Sequence, residues 1–270
     1  MANRRRLDSL LVERGLAPSR DRAQRLILAG RVTVDGAPAE KAGAAYSPEA
    51  SISVQEDPCP YVSRGGLKLA GALDAFGVSP AGRFCLDAGA STGGFTDVLL
   101  RRGARRVAAV DVGRGLIDWS LRNDPRVLLM EKVNARRLTP ETFAAAAGGE
   151  RPGLATVDLS FISVLKVLDA LGSVLAEGGE MIVLVKPQFE VGKGKVGKGG
   201  IVRDPALHRE VLERVWDGCR EKGLGPQGAC ASPITGAKGN REFFLHLRAG
   251  EESADRAACL DAAMAGEDED

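Results

Sequence analysis

Apolar positions keep one rhythm over the first sixty residues and another beyond them. Leu7, Leu10 and Leu11 recur at i, i+3 and i+4, one face of a short helix that Gly15 ends. Ser19 suits the N-cap of a second helix whose apolar face is Ala23, Leu26 and Ile27, stopped at Gly30. In RVTVDGAPA, Val32 and Val34 alternate with polar residues and Asp35-Gly36 turns the chain, predicting a hairpin. The proline-containing stretch QEDPCPYVSRGG then reads as a linker. From residue 66 onward, LKLAGALDAFG has helical spacing, and five short apolar runs follow: RFCLDAG, RVAAVDVG, RVLLMEKV, LATVDLS and MIVLVKP. Unbroken runs of this length are how strands buried on both faces read. Amphipathic pieces such as TDVLLRRG and SVLKVLDALGSVLAEGG separate several of them, which predicts an α/β fold with a parallel sheet covered by helices on both faces.

The runs end on charges: Asp87, Asp111, Asp158 and Lys186. In open α/β sheets the ligand crevice lies outside the carboxyl ends of the strands, so four charged strand ends define one edge and one site. A lysine at a strand end can also simply snorkel to water. In LDAGASTGGFTDVLL, Asp87 closes a strand, and Gly89, Gly93 and Gly94 permit a tight turn with close ligand approach. The turn is neither G-x-G-x-x-G nor a P-loop. Asp111 at the next strand end can accept hydrogen bonds from both hydroxyls of a ribose. EFFLHLR reads as a late strand, and Glu242 at its start reaches the same edge if that strand runs antiparallel to the others. Lys68 lies near the start of the helix before the sheet. Lys68, Asp158, Lys186 and Glu242 then form a polar cluster suited to removing a proton from a weakly acidic hydroxyl, and unsuited to hydride or phosphoryl transfer.

Composition removes other classes. At 270 residues and 44% hydrophobic, the chain can build one large domain or a small one plus a medium one. Five scattered cysteines without a C-x-x-C pair exclude zinc-ligand spacing, and two histidines make a multi-His metal site improbable, so no metal is expected. No apolar run approaches the ~20 residues that cross a bilayer, and MANRRRLDSL is no secretory signal, so a cytoplasmic protein is expected. The net charge of +1 hides an asymmetry: residues 251–270 carry −7, leaving +8 on the first 250. A basic body suggests a polyanionic partner, and the acidic tail reads as a solvated, mobile end. Eight arginines lie between Arg4 and Arg31, against four acids within residues 1–35. They are either the wet face of two helices or guanidinium forks for phosphate.

RLDSLLVERGLAPSRDRAQRLILAGRVTVDG resembles the S4 RNA-binding domain in its helix–helix–hairpin order, its S-R-x-x-A-x-x-L-I spacing and its G-x-V-x-V-[DN]-G ending. The resemblance implies contacts with structured RNA, for which Arg4, Arg6, Arg20, Arg22, Arg25 and Arg31 are candidates. Residues 60–250 are similar to the FtsJ/RrmJ-type ribose 2′-O-methyltransferases, whose Lys-Asp-Lys-Glu tetrad matches Lys68 in SRGGLKL, Asp158 in TVDLSFIS, Lys186 in LVKPQFE and Glu242 in GNREFFLHL. With YVSRGG, DLSFISV and VGKGKVGKGGIVRDP, the whole resembles the TlyA family, first called hemolysin A, of rRNA cytidine 2′-O-methyltransferases.

That resemblance implies a Rossmann-like class I methyltransferase sheet of six parallel strands and one antiparallel, following a small α/β S4 domain. The expected organisation is S4 at 1–58, linker at 59–65, methyltransferase at 66–250 and tail at 251–270. S-adenosylmethionine is the expected cofactor, held by Asp87, Gly89, Ala90, Ser91, Gly93 and Gly94 on its methionine side and by Asp111 at its ribose. Asn134 either contacts adenine or merely caps a loop. Lys186 is the expected central residue, with Asp158 as its partner and Lys68 and Glu242 positioning the substrate ribose. Lys193, Lys195 and Lys198 sit among glycines in a loop that either clamps phosphates or only connects. The expected partner is rRNA within ribosomal subunits, 16S and/or 23S; the oligomeric state is not legible, with a monomer favoured. Rivals are methylation of another nucleotide or of a base, a non-catalytic S4-containing assembly factor, and a membrane-active protein.

Overall fold

The protein's structure, a computed structural model, describes residues 4–17, 19–28, 30–55, 59–192, 194–250 and 254–265, with the side chains of Asp21, Arg25 and Ala237 outside that description. The chain divides into two units, Met1–Pro60 and Tyr61–Asp270.

In the first unit β1 (Arg5–Arg6) leads into α1 (Leu7–Glu13) and α2 (Arg20–Leu28). The hydroxyl of Ser19 accepts from the Arg22 amide at 3.2 Å, the expected N-cap. Strands β2 (Val32–Val34) and β3 (Ala37–Pro38) form the hairpin, and Asp35 and Gly36 between them both have positive φ (51° and 81°), as a two-residue turn of this hand requires. The short strands β4 (Ala45–Tyr46), pairing with β1, and β5 (Ile52–Val54), pairing with β2, complete the unit. Leu7, Leu11, Ala23, Ile27, Val32 and Val34 meet in its core.

In the second unit α3 (Gly65–Phe76) precedes β6 (Phe84–Ala88), α4 (Gly94–Arg101), β7 (Arg106–Asp111), α5 (Trp119–Arg122), β8 (Val127–Glu131), α6 (Pro140–Ala147) and β9 (Leu154–Val157). Then come α7 (Leu168–Val174), β10 (Glu180–Val185), α8 (Pro187–Glu190), α9 (Pro205–Glu221), β11 (Leu224–Ala231), β12 (Phe243–Ala249) and α10 (Arg256–Met264). The sheet order is β11-β12-β10-β9-β6-β7-β8. Strand β12 runs against both its neighbours and the other pairings are parallel, so six strands share one direction. Met181–Val185 of β10 is 0–1% exposed, with two apolar clusters covering the two faces of the sheet. Burying each such side chain is worth about 2 kcal/mol.

Three features differ from expectation. Strand β11 lies at the end of the sheet and was not among the apolar runs, because Gly225, Pro226 and Gly228 dilute its pattern. A position at the sheet's end tolerates the missing N–H of proline, and the register shifts between Pro226 and Gly228. The expected linker at 59–65 is divided, because Tyr61 already belongs to the second unit. The Val62 amide donates to Asp97 Oδ2 of α4 at 2.9 Å, and Arg101 lies over the Tyr61 ring. Within the tail expected to be mobile, residues 256–264 form α10, capped by Asp255, with Leu260 and Ala263 buried in the core. Arg209–Asp261 and Arg256–Asp217 ion pairs tie it to α9. Of the tail's acids, Asp255 caps this short helix and Asp261 lies within it, and the helix packs on the sheet's end strand.

Candidate active site

The sheet register assembles the polar cluster. Val183 of β10 pairs with Val157 of β9, and Val185 pairs with Phe243 of the reversed β12. Asp158, Lys186 and Glu242, each one residue beyond a paired strand end, are thereby set along one edge. Lys186 pairs with Asp158, and its Nζ also donates to Ser160 Oγ at 3.1 Å. Lys68, from the first turn of α3, donates to Glu242 Oε2 at 2.5 Å. The Lys186 and Glu242 side chains are only 10% and 2% exposed. Two lysines are thus held out of bulk water, each against a carboxylate, and Lys186 does not snorkel. Gly236 packs against this arrangement: a Cβ there would lie 2.0 Å from Glu242 Oε1.

The turn from β6 into α4 forms the opposite wall. Gly89 has φ +89°, and a Cβ there would fall 2.1 Å from the Asp158 carbonyl oxygen, so only glycine fits. A cavity of about 210 Å³ is lined by Lys68, Asp158, Gly89, Ala90, Ser91 and Gly94, together with Ser63, Gly65, Thr92 and Phe95. A second, of about 230 Å³, meets it at Gly89 and is lined by Asp111, Asn134, Ser160 and apolar residues including Val112, Val133 and Ile162. Asp111 accepts from the amides of Ser91 (2.8 Å) and Gly113 (2.7 Å), which fixes its carboxylate at the cavity wall. The Asn134 side chain caps the 3-10 turn Ala135–Arg137, and the residue also lines this cavity.

Two expected cofactor residues sit elsewhere. Asp87 is fully buried and faces neither cavity. Thr96 Oγ1 of α4 donates to it at 2.7 Å and Thr156 Oγ1 of β9 at 3.4 Å, so it fastens the glycine turn from behind. Burial first, and then the charge of Asp158, push its carboxyl up to about 7 despite the threonine hydrogen bonds. Gly93 lies against Leu121. Conversely Ser63, Thr92, Phe95 and Ser160 line the cavities without having been singled out. Ser160 was legible only as part of DLSFIS, and Ser63 only as part of a supposed linker.

The two cavities differ in chemistry as the two ends of an adenosylated amino acid do. One presents hydroxyls, backbone and opposite charges, the other a fixed carboxylate between apolar walls. Among the described residues no cluster of His, Cys, Asp and Glu could hold a metal.

The arginines of the first unit are partly engaged within it. Arg6 and Arg20 both pair with the buried Asp8, at 2.8 and 3.2 Å, yet remain more than half exposed. The Arg6 guanidinium first of all, with Gln24 and Arg20, holds the Asp8 carboxyl well below the usual carboxylate range against its burial. Arg4 is exposed, while Arg22 and Arg31 are half-buried. The Arg25 side chain and Lys193 lie outside the described residues. Lys195 pairs with Glu210 at 2.7 Å, and Lys198 is exposed.

Comparison with known proteins agrees with this geometry. The FtsJ-like methyltransferase family matches residues 61–249, and the S4 domain family matches residues 5–52. The 16S/23S rRNA (cytidine-2′-O)-methyltransferase TlyA of Mycobacterium tuberculosis is 52% identical over 92% of this chain and 91% of its own. Hemolysin A of Brachyspira hyodysenteriae is 40% identical over 90% of this chain and 99% of its own. A solved structure described as a hemolysin from Streptococcus thermophilus superposes with a TM-score of 0.75 at 38% identity, covering 99% of this chain and 96% of that one. With two thirds of its length in the methyltransferase match and an S4 domain before it, the chain belongs to the TlyA group of FtsJ-like methyltransferases.

Proposed function

We propose that the chain methylates the 2′-hydroxyl of a cytidine in ribosomal RNA, using S-adenosylmethionine. The observation that carries this reading is the pair of lysine–carboxylate contacts at the strand ends, each giving one member, Lys68 and Asp158, to the lining of the cavity that the glycine-rich turn also lines. Gly89, Ala90, Ser91 and Gly94 would hold the amino-acid end of the cofactor. Asp111 would hold its ribose hydroxyls and Asn134 with the apolar walls its adenine. When bound, S-adenosylmethionine supplies an electrophilic methyl group. The chain's own task is then to place one ribose hydroxyl and receive its proton.

Lys186 is the group for that proton. Asp158 and Ser160 fix its Nζ from two sides, so the amine has one direction left in which to meet a hydroxyl. Its neutral form takes the proton, and Asp158 holds the ammonium that results. Lys68 and Glu242 lie on the substrate side and orient the ribose. Excluding water from these contacts strengthens them. Phe161 gives the RNA a second foothold: it is 90% exposed, has φ +66°, lies 5.1 Å from the Phe189 ring, and directly follows Ser160, which binds Lys186. An aromatic face held out in water beside a hydroxyl site suits stacking of an unpaired base.

The test is transfer of tritiated methyl from S-adenosylmethionine to separated small and large ribosomal subunits, with the product nucleotide identified by mass spectrometry. The expected product is 2′-O-methylcytidine, absent with Lys186→Ala. Undiminished transfer by a folded, cofactor-binding Lys186→Ala protein would remove Lys186 from the mechanism. No transfer to any RNA by the wild type would favour the assembly-factor rival.

A further inference from the structure

One buried carboxylate lies outside the polar cluster. Glu190 closes α8, just beyond Lys186, and is only 7% exposed. Its Oε1 accepts from the Val164 amide at 2.8 Å, and the Ser163 hydroxyl donates to the same carboxylate. Burial pushes its carboxyl up, against those two hydrogen bonds and the charges of Arg214 and Lys166. An apolar side chain could be buried there at lower cost, so this carboxylate is a poor device for stability alone. What it does hold is the stretch of chain facing Lys186.

That stretch, 158–163, runs without helix or strand from the end of β9 to the 3-10 turn Val164–Lys166. It carries both residues that hold Lys186 Nζ, Asp158 and Ser160. At one end the Asp158 amide donates to the Ala88 carbonyl at 3.0 Å, and at the other Glu190 holds Ser163 and Val164. Between these anchors Phe161 has φ +66°, and its ring lies 5.1 Å from that of Phe189. A non-glycine residue keeps a left-handed backbone only where its surroundings over-determine it. Lys186, Phe189 and Glu190 therefore join the two stretches at successive points. Helix α8 is itself fixed, because Arg214 of α9 donates to the Glu190 carbonyl.

We propose that Glu190 is a positioning residue for methyl transfer, its carboxylate setting the 158–164 stretch where Ser160 and Asp158 meet Lys186. The inference rests on the RNA 2′-O-methyltransferase reading and deepens it. Without the carboxylate the buried Val164 amide loses its acceptor, and the stretch must shift to find another. Asp158 stays tied to Ala88, so the displacement falls on Ser160 and Phe161.

The experiment compares wild type, Glu190→Leu, Glu190→Gln, Ser160→Ala and the Ser160→Ala/Glu190→Leu double variant in single-turnover methyl transfer to ribosomal subunits, at saturating cofactor and RNA. Rates are taken per cofactor-binding molecule, counted by calorimetry, so a merely structural loss of folded protein does not register. Glu190→Leu should be roughly 100-fold slower, the cost of misplacing a positioning group by about 1 Å. Glu190→Gln keeps an acceptor for the Val164 amide and should stay within about fivefold of wild type, the difference between a charged and a neutral acceptor. Because Glu190 acts through Ser160, the double variant should be much less impaired than the product of the two single losses. If Glu190→Leu binds no cofactor, Val164→Pro removes the donor instead and should show the same loss. Ser163 has φ −65° and ψ 136°, backbone that a residue before proline prefers, and Val164 opens its turn. With wild type methylating RNA, three results each overturn the inference alone: Glu190→Leu, or Val164→Pro in its place, within about fivefold of wild type; a glutamine variant as slow as the leucine one; or losses that simply multiply. A wild type that methylates no RNA overturns the functional reading, and the inference with it.

Discussion

Gly236→Ala tests the assembly of the active site from a position outside every recognisable motif. Its φ lies outside the left-handed region, so alanine strains no backbone there. The added Cβ would stand 2.0 Å from Glu242 Oε1, where ordinary contact begins at 3.4 Å. The carboxylate must therefore retreat by about 1.4 Å, the difference between those two distances. Its 2.5 Å bond to Lys68 Nζ then stretches toward 4 Å, past the ~3.2 Å limit of a useful N–H···O bond. A displacement of about 1 Å in a positioning group costs roughly 100-fold in rate, or about 3 kcal/mol. Methyl transfer to ribosomal subunits by Gly236→Ala should accordingly fall about 100-fold, with cofactor affinity by calorimetry within about twofold of wild type. Glu242→Asp shortens the side chain and vacates the contested space, so adding it to Gly236→Ala should cost much less than the product of the two single losses. Turnover within threefold of wild type, or two losses that simply multiply, would refute the contact as the cause.

Other outcomes follow from the same structure. Asp87 has its folded pKa raised from 3.8 to about 7, so its contribution to stability is full below about pH 4 and is lost as pH rises through 7. At about 1.4 kcal/mol per pH unit this amounts to about 4 kcal/mol, and Asp87→Asn should remove that fall when denaturation is followed from pH 4 to pH 8. Asp8 is the opposite case: its folded pKa is depressed, so the stability it brings is present above the ordinary carboxylate range and is lost on acidification. Amide protection factors in residues 5–52, corrected for the intrinsic exchange rate at each pH, should fall at low pH in wild type and be flatter with pH in Asp8→Asn. Phe161→Ala removes an exposed ring, so the melting temperature should stay within about 2 °C, while kcat/KM for RNA falls roughly ten- to a hundredfold through lost stacking of about 1–3 kcal/mol. An unchanged kcat/KM would show that the ring does not meet the RNA.

Strand-end chemistry was legible in the sequence because a buried parallel strand is an unbroken apolar run, and a charge after such a run can only stand at the sheet's edge. Asp158 and Lys186 were readable on that ground, Glu242 only on the condition that its strand was reversed, and Lys68 through its place at the start of a helix. The first-unit helices and hairpin were readable too, since their caps and turn are local: Ser19, Gly30 and Asp35-Gly36 act within a few residues of themselves. Tertiary structure alone decided the rest. Asp87 and Asp111 look alike as acids at strand ends, yet Asp87 is fully enclosed by Thr96 and Thr156 while Asp111 keeps an edge on the cavity. Strand β11 exists because β12 offers it an edge to pair with, despite its own glycines and proline. Helix α10 packs because that strand presents apolar surface, which an acidic local composition cannot reveal. Which lysine meets which carboxylate, and that Gly236 must lack a side chain for one of those pairs to form, depends on contacts between residues far apart in the chain. Local periodicity carries no record of such contacts, because they arise only when distant segments compete for the same few ångströms.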